Sequence, residues 1–176
     1  MSDQNPQVML ETSMGAIKIE LFKEKAPITV RNFLSYVKEG HYDGLVFHRV
    51  IKDFMVQGGG MNENLEVKKP KFAIKNEATN GLKNKRGTLA MARTAVVDSA
   101  TCQFFINTVD NAFLDHKGKK LPEEFGYCVF GQVIDGIEVV DRIREVKTGN
   151  KNGHSDVPLE PVFINSARLI EMEAQA

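Results

Sequence analysis

The sequence predicts a mainly β fold: short strands closing into a barrel, with two helices covering its ends. Three observations predict it. Short apolar or alternating runs recur along the chain with turn residues between them. Only two stretches carry the helical period. No repeat, low-complexity tract or linker divides the 176 residues, a length at which one domain buries its own core. Periodicity by itself leaves barrel and sandwich both open.

The elements follow in order. Residues 1–7 are polar and read as a tail. Val8 to Thr12 and the strictly alternating Ala16–Leu21 flank Ser13-Met14-Gly15, which suggests a hairpin. Pro27 opens a helix over Pro27–Glu39, because Val30, Phe33, Leu34 and Val37 recur at helical spacing and Gly40 stands at the C-terminal cap. Strands are expected at Leu45–Val50, Phe54–Gln57, Thr88–Met91, Phe104–Asn107 and Tyr127–Val133. A second helix is expected over Gly136–Arg144, with Val139, Val140 and Ile143 inward. Residues 147–161, rich in Gly, Asn and Asp, read as an exposed loop. A last strand runs from Val162 to Ile170. The domain then spans 8–172, with a short tail over 173–176.

Composition excludes several function classes. Lys plus Arg and Asp plus Glu both number 23, so there is no global field for nucleic acid or anionic lipid. The lysines at 68, 69, 71, 83 and 85 read as a solvated loop face. No apolar run approaches the ~18–20 residues that span a bilayer. The polar start lacks a charged segment followed by an apolar one, so no secretory signal is expected and a cytoplasmic location is. Cys102 and Cys128 have small or apolar neighbours and read as buried free thiols. His41, His48, His116 and His154 show no metal-ligand spacing. Gly58-Gly59-Gly60 reads as a chain reversal; no Lys-Ser/Thr pair or helix follows it to cradle a phosphate. Ser99 and Asp98 have no nucleophile elbow around them.

Two segments carry the chemistry. In Phe47-His48-Arg49-Val50-Ile51-Lys52-Asp53-Phe54-Met55-Val56-Gln57, Arg49 offers a fixed cation, Phe54 and Met55 an apolar wall, and Gln57 an amide. In Gln103-Phe104-Phe105-Ile106-Asn107, a second amide stands beside two aromatics. Together these motifs resemble the cyclophilins, the peptidyl-prolyl cis/trans isomerases, and the likeness runs from about Val8 to Ile170. It implies a closed eight-stranded antiparallel β-barrel capped by two α-helices. It also implies roles. Arg49 falls on the catalytic arginine, and Gln57 and Gln103 on positions that hold substrate backbone and orient that arginine. Phe54, Met55, Phe105 and Leu114 fall on the proline pocket. Ala92 and Arg93 fall on the edge that pairs with substrate backbone.

Three departures lie beside that pocket. Tyr127 stands where many members carry a histidine, and its hydroxyl also donates. Phe113 replaces a tryptophan of many eukaryotic members and so lacks the indole N–H. Arg93-Thr94 replaces a common Asn-Ala, and the stretch to Gln103 is about one residue longer. The set looks like the bacterial cytoplasmic branch. It implies a monomer that acts on proline-containing peptides and unfolded chains and binds cyclosporin weakly. X–Pro rotation breaks no bond, so no nucleophile, metal or cofactor is expected. The rival reading is a proline-peptide binding module or holdase-like chaperone with incidental catalysis. Arg49 separates the two, because ground-state binding needs the pocket but no donor aimed at a twisted nitrogen. A barrel enclosing a small apolar ligand is the weaker third reading, since small barrels fill with side chains.

Overall fold

The computed structural model describes residues 4–170. The chain opens with a hairpin of β1 (Gln7–Thr12) and β2 (Gly15–Leu21), so strand begins inside the expected tail. The Thr12 hydroxyl donates to Gly15 O and accepts from Met14 N, which closes the two-residue turn. Ile17, Ile19 and Leu21 are fully buried while Lys18 and Glu20 face outward, as the alternation requires. The expected domain end at 172 and the tail over 173–176 lie outside the described residues.

Helix α1 (Pro27–Lys38) buries Val30, Phe33 and Val37 as its spacing predicts, with Thr29 and Tyr36 beside them. Its own N-cap supplies no side-chain hydrogen bond. The carboxylate of Glu77, 48 residues on, accepts from Thr29 N at 2.7 Å and from Ile28 N at 3.3 Å instead. The ring of Phe33 meets Tyr42, Phe104 and Phe130 at centroid distances of 5.2–5.5 Å in the centre of the core. The buried Tyr42 hydroxyl donates to Cys102 O.

The remaining main-sheet strands are β3 (Leu45–Val46), β4 (Arg49–Ile51), β5 (Met55–Gly58), β6 (Thr88–Met91), β7 (Phe104–Asn107) and β8 (Val129–Asp135). After them come α3 (Ile137–Arg144), a hairpin of β9 (Thr148–Lys151) and β10 (His154–Pro158), and β11 (Phe163–Ile170). A single helical turn, α2 (Pro122–Phe125), precedes β8 and adds a third helix to the two expected. Nine strands form one antiparallel sheet in the order β3-β11-β1-β2-β8-β6-β7-β5-β4. Bulges bend it where β11 carries an extra residue, Asn165, opposite β1 and where β8 carries two, Phe130 opposite β6 and Ile134 opposite β2.

The two edges of that sheet, β3 and β4, are halves of one segment. The sheet therefore curls until its ends meet in a single stretch of chain, and merging the halves gives the expected eight strands. The ladder itself does not close: the strand expected at Leu45–Val50 breaks at Phe47–His48 and changes neighbours there. Before the break Phe47 N donates to Val162 O beside β11; after it Arg49 faces Gln57 in β5. Gly58 marks the crossing, since a Cβ there would stand 2.7 Å from Val46 O and 3.0 Å from Phe47 Cα.

Two local expectations need correcting. The strand expected at Tyr127–Val133 starts two residues later and runs to Asp135. Residues 147–161 are no plain loop, because the β9–β10 hairpin buries Val157 against Met61 and Leu65. α3 lies where expected, with Val139, Val140 and Ile143 buried and Gly136 at its N-cap.

Candidate active site

Strand register brings the candidate residues together. Arg49 in β4 pairs with Gln57 in β5, Gln57 with Phe105 in β7, and Phe105 with Ala90 in β6. Directly opposed residues share one face of a sheet, so Arg49, Gln57 and Phe105 stand in a row. The period of two turns Phe104 and Ile106 into the main core. It turns Phe105 to the other face, into a second apolar cluster with Met55, Ala90, Leu114 and Val129.

A cavity of about 130 Å³ opens over this cluster. Arg49, Phe54, Met55, Gln57, Ala92, Arg93, Phe105, Leu114 and Tyr127 line it. Gln103 lines an adjoining cavity of about 170 Å³, which shares Gln57, Ala92 and Arg93 and adds the hydroxyls of Thr94, Ser99 and Thr101. Phe113 lines neither. It is 61% exposed, with its ring centroid 5.5 Å from that of Phe54, and so stands on the rim.

The polar groups form a chain. Arg49 Nη1 donates to Gln57 Oε1 at 3.4 Å, and Gln57 Nε2 donates to Gln103 Oε1 at 3.0 Å. The guanidinium carbon of Arg49 also lies 6.0 Å from the Phe54 ring centroid. Gly60 makes room for this chain: a Cβ there would sit on Gln103 Cγ, Cδ and Nε2. Gly59, at φ +91°, turns the chain out of β5, as the triple glycine predicts. Arg93 is a clamp. It donates to the carbonyls of Gly126, Thr94 and Pro122, and its guanidinium covers the Tyr127 ring at 4.8 Å.

Comparison with known proteins decides what this arrangement belongs to. The family described as cyclophilin type peptidyl-prolyl cis-trans isomerase/CLD matches residues 7–169. The chain belongs to the cyclophilin family. It is 55% identical to peptidyl-prolyl cis-trans isomerase cyp18 of Streptomyces antibioticus, over 93% of this chain and 98% of that one. It is 54% identical to peptidyl-prolyl cis-trans isomerase B of Escherichia coli (strain K12), over 93% and 99%. Its structure is similar to that of a cyclophilin type isomerase of Cryptosporidium parvum, with a TM-score of 0.77, 26% identity, and coverage of 96% and 99%. A second structure of that Cryptosporidium parvum protein was determined in the presence of the dipeptide Ala-Pro, and it matches with the same score.

Near this cyclophilin site, burial holds His48 and both thiols in their neutral forms at neutral pH. His48 is buried between Phe47 and Arg49, and its Nδ1 has no hydrogen-bond partner among the described residues, contrary to the bonded histidine a buried ring suggests. Burial first, then the charges of His154 and Arg49, push its pKa down to about 4. Cys102 and Cys128 are buried and free; burial raises both thiols, Cys128 to about 11, so neither is a thiolate at neutral pH. In the lysine cluster, Lys68 donates to His41 O, and Lys71 reaches Ser35 and Glu39 across the Tyr36 ring. No helix among the described residues is long and apolar enough to cross a membrane.

Sequence reasoning missed two groups. The hydroxyls of Thr94, Ser99 and Thr101 sit in an irregular loop, where no period announces a shared cavity. Asn84, Asn107 and Asn111 are almost fully buried behind the pocket. One signal was available for them, since an asparagine ending the apolar run Phe104-Phe105-Ile106 is a costly choice for a core strand.

Proposed function

We infer that this cyclophilin accelerates cis/trans rotation of X–Pro bonds in peptides and folding chains by fitting the twisted amide better than either planar one. The barrier to that rotation, ~18–20 kcal/mol, is the loss of amide conjugation. In the planar ground state the prolyl nitrogen lone pair is delocalised and accepts no hydrogen bond. Twisting localises it. A donor held at that point therefore stabilises the transition state and leaves the ground state alone, which is what raises turnover. Each ~1.4 kcal/mol gained in this way is a factor of ten in rate.

Arg49 is the donor in this reading. Its fork stays charged, and Gln57 engages one edge of it while leaving other N–H groups to donate. Gln57 and Gln103 orient it and hold peptide backbone. Phe54, Met55, Phe105 and Leu114 hold the proline ring still. Ala92, Arg93 and Tyr127 contact the flanking peptide, and Phe113 walls its exit. The observation that carries the reading is the row Arg49–Gln57–Phe105 across three paired strands beside one apolar cavity. The chemistry needs no cofactor or metal. The unit is a single domain over residues 8–172, acting as a monomer on proline-containing peptides and unfolded chains. We assign it to the cytoplasm, where two buried free thiols remain reduced.

Exchange rates on X–Pro peptides, read without a coupled protease, test the mechanism. Arg49→Ala raises the barrier by roughly 2–4 kcal/mol, the range for one lost electrostatic donor. Peptide affinity falls much less. Near-normal turnover in that variant would replace this mechanism with the proline-binding module.

A further inference from the structure

Three walls of the proline cavity come from segments far apart in the chain: Phe54, Leu114 and Tyr127. Behind them lie three asparagines that do not line the cavity. Asn107 is fully buried, Asn84 is 1% exposed and Asn111 is 3% exposed. Burying three amides is costly unless their donors and acceptors find partners, and here they find one another. Asn107 Nδ2 donates to Asn84 Oδ1 at 3.1 Å and to Thr88 Oγ1 at 3.0 Å. Asn107 Oδ1 accepts from Asn111 Nδ2 at 2.8 Å.

Three further bonds of the group end on the walls. Asn111 Nδ2 donates to Phe54 O at 2.8 Å. Asn111 O accepts from Leu114 N at 3.0 Å. Asn84 Nδ2 donates to Tyr127 O at 3.3 Å. Asp115 adds a carboxylate oxygen that accepts from both Asn84 N and Asn84 Nδ2. Asn107 itself follows Phe105 by two residues in β7, so it shares that wall's strand and face.

We propose that Asn84, Asn107 and Asn111 are positioning residues: their linked amides fix Phe54 and Tyr127 relative to Phe105 and thereby set turnover. The inference rests on the isomerase reading above. Its physical basis is that selective stabilisation of a twisted amide depends on geometry, and a misplacement of about 1 Å costs on the order of 100-fold in rate. Ground-state peptide contacts the same walls more tolerantly, so kcat is the more sensitive quantity.

The test compares Asn111→Ala and Asn84→Ser with the wild-type chain in exchange assays on an X–Pro peptide. Ile164→Val, a core change away from the cavity, controls for lost stability. Both asparagine variants are expected to lose roughly 10- to 100-fold in kcat with KM within about threefold. Ile164→Val lowers the unfolding midpoint and keeps wild-type kcat. If Asn111→Ala does not fold, Asn84→Ser carries the test alone through Tyr127, because the backbone bonds of residue 84 survive that change. Folded variants with wild-type kcat and only a lower unfolding midpoint overturn the inference, since the asparagines are then merely structural. A wild-type chain that does not accelerate exchange overturns the isomerase reading and this inference with it.

Discussion

Phe104 and Phe105 are neighbours of the same chemistry on one strand, both buried, yet they serve opposite sides of the sheet. Phe104 packs on Phe33, Tyr42 and Phe47 in the main core. Phe105 meets Tyr127 edge to face at 5.8 Å and lines the cavity. The inner face is closed by α1, the strands across the core and the aromatics Tyr42 and Phe47 between them. The outer face is closed by loops alone, and those loops leave a hole. A site therefore arises here because the second face of a two-sided strand is only partly covered.

The largest expected effect breaks that comparison directly. Phe104→Ala opens a cavity in the main core and costs about 3–5 kcal/mol of unfolding free energy. Phe105→Ala costs less stability, because its cluster is small and borders solvent, but it loses more turnover. Denaturant unfolding and exchange rates, measured on both variants, check the pair. Equal losses on both readouts would show that the two faces are not separate.

A second effect tests the break between the two edge strands, where an inward Phe47 gives way to an outward Arg49. His48 sits in that break with its pKa depressed to about 4 from an ordinary 6.5. The unfolded chain binds a proton below about 6.5 and the folded chain does so only near 4. Stability is therefore full above 6.5 and falls as pH drops through that window. The expected loss between pH 7 and pH 5 is about 2 kcal/mol. His48→Phe should flatten the slope in urea titrations at the two pH values. An unchanged slope would assign the pH dependence to other groups.

Much of this was legible in the sequence, for identifiable reasons. β2 and α1 could be read because each buries one face against a core, so the period shows in the residue types. The row of site residues was legible as two motifs, since both lie on strands where register is fixed by pairing. What escaped depends on distant partners. The β9 segment Thr148-Gly149-Asn150-Lys151 has no apolar alternation and forms a strand only because β10 pairs with it. The N-terminus of α1 is held by Glu77, which no local capping signal predicts. Phe113, expected beside the pocket, stands on its rim, because the turn from Ala112 to Leu114 directs only Leu114 inward. The break at Phe47–His48 was hidden because both halves are apolar enough to read as one strand.

A smaller effect sharpens the contrast between packing and function. Gly60→Ala forces the Gln103 side chain aside from Cγ outward, while Gln103 and the cavity it lines lie outside the main core. Gln103 then leaves Gln57, and Arg49 loses its brace. Turnover should fall about tenfold, or ~1.4 kcal/mol in barrier, while the unfolding midpoint moves little. A variant with lowered stability and normal turnover would mean that the glutamine chain does not orient Arg49.

The smallest effect concerns the rim. Phe113 stacks beside Phe54 with most of its ring in solvent, so it supplies apolar surface but no donor. The cyclic peptide cyclosporin should therefore bind more weakly here than to members with tryptophan at the matched position. A neutral hydrogen bond contributes about 0.5–1.5 kcal/mol net, which is roughly 2- to 13-fold in affinity. Phe113→Trp should recover part of that. Peptide turnover should change only modestly, because Phe54, Met55, Phe105 and Leu114 line the cavity and Phe113 does not. Titrating both proteins with the inhibitor, with peptide exchange as the readout, separates the two faces of the question. If the tryptophan variant binds no tighter, the weakness belongs to the clamped Arg93–Thr94 loop or to Tyr127. A large change in turnover would instead put residue 113 inside the proline pocket during catalysis, where the resting geometry does not hold it.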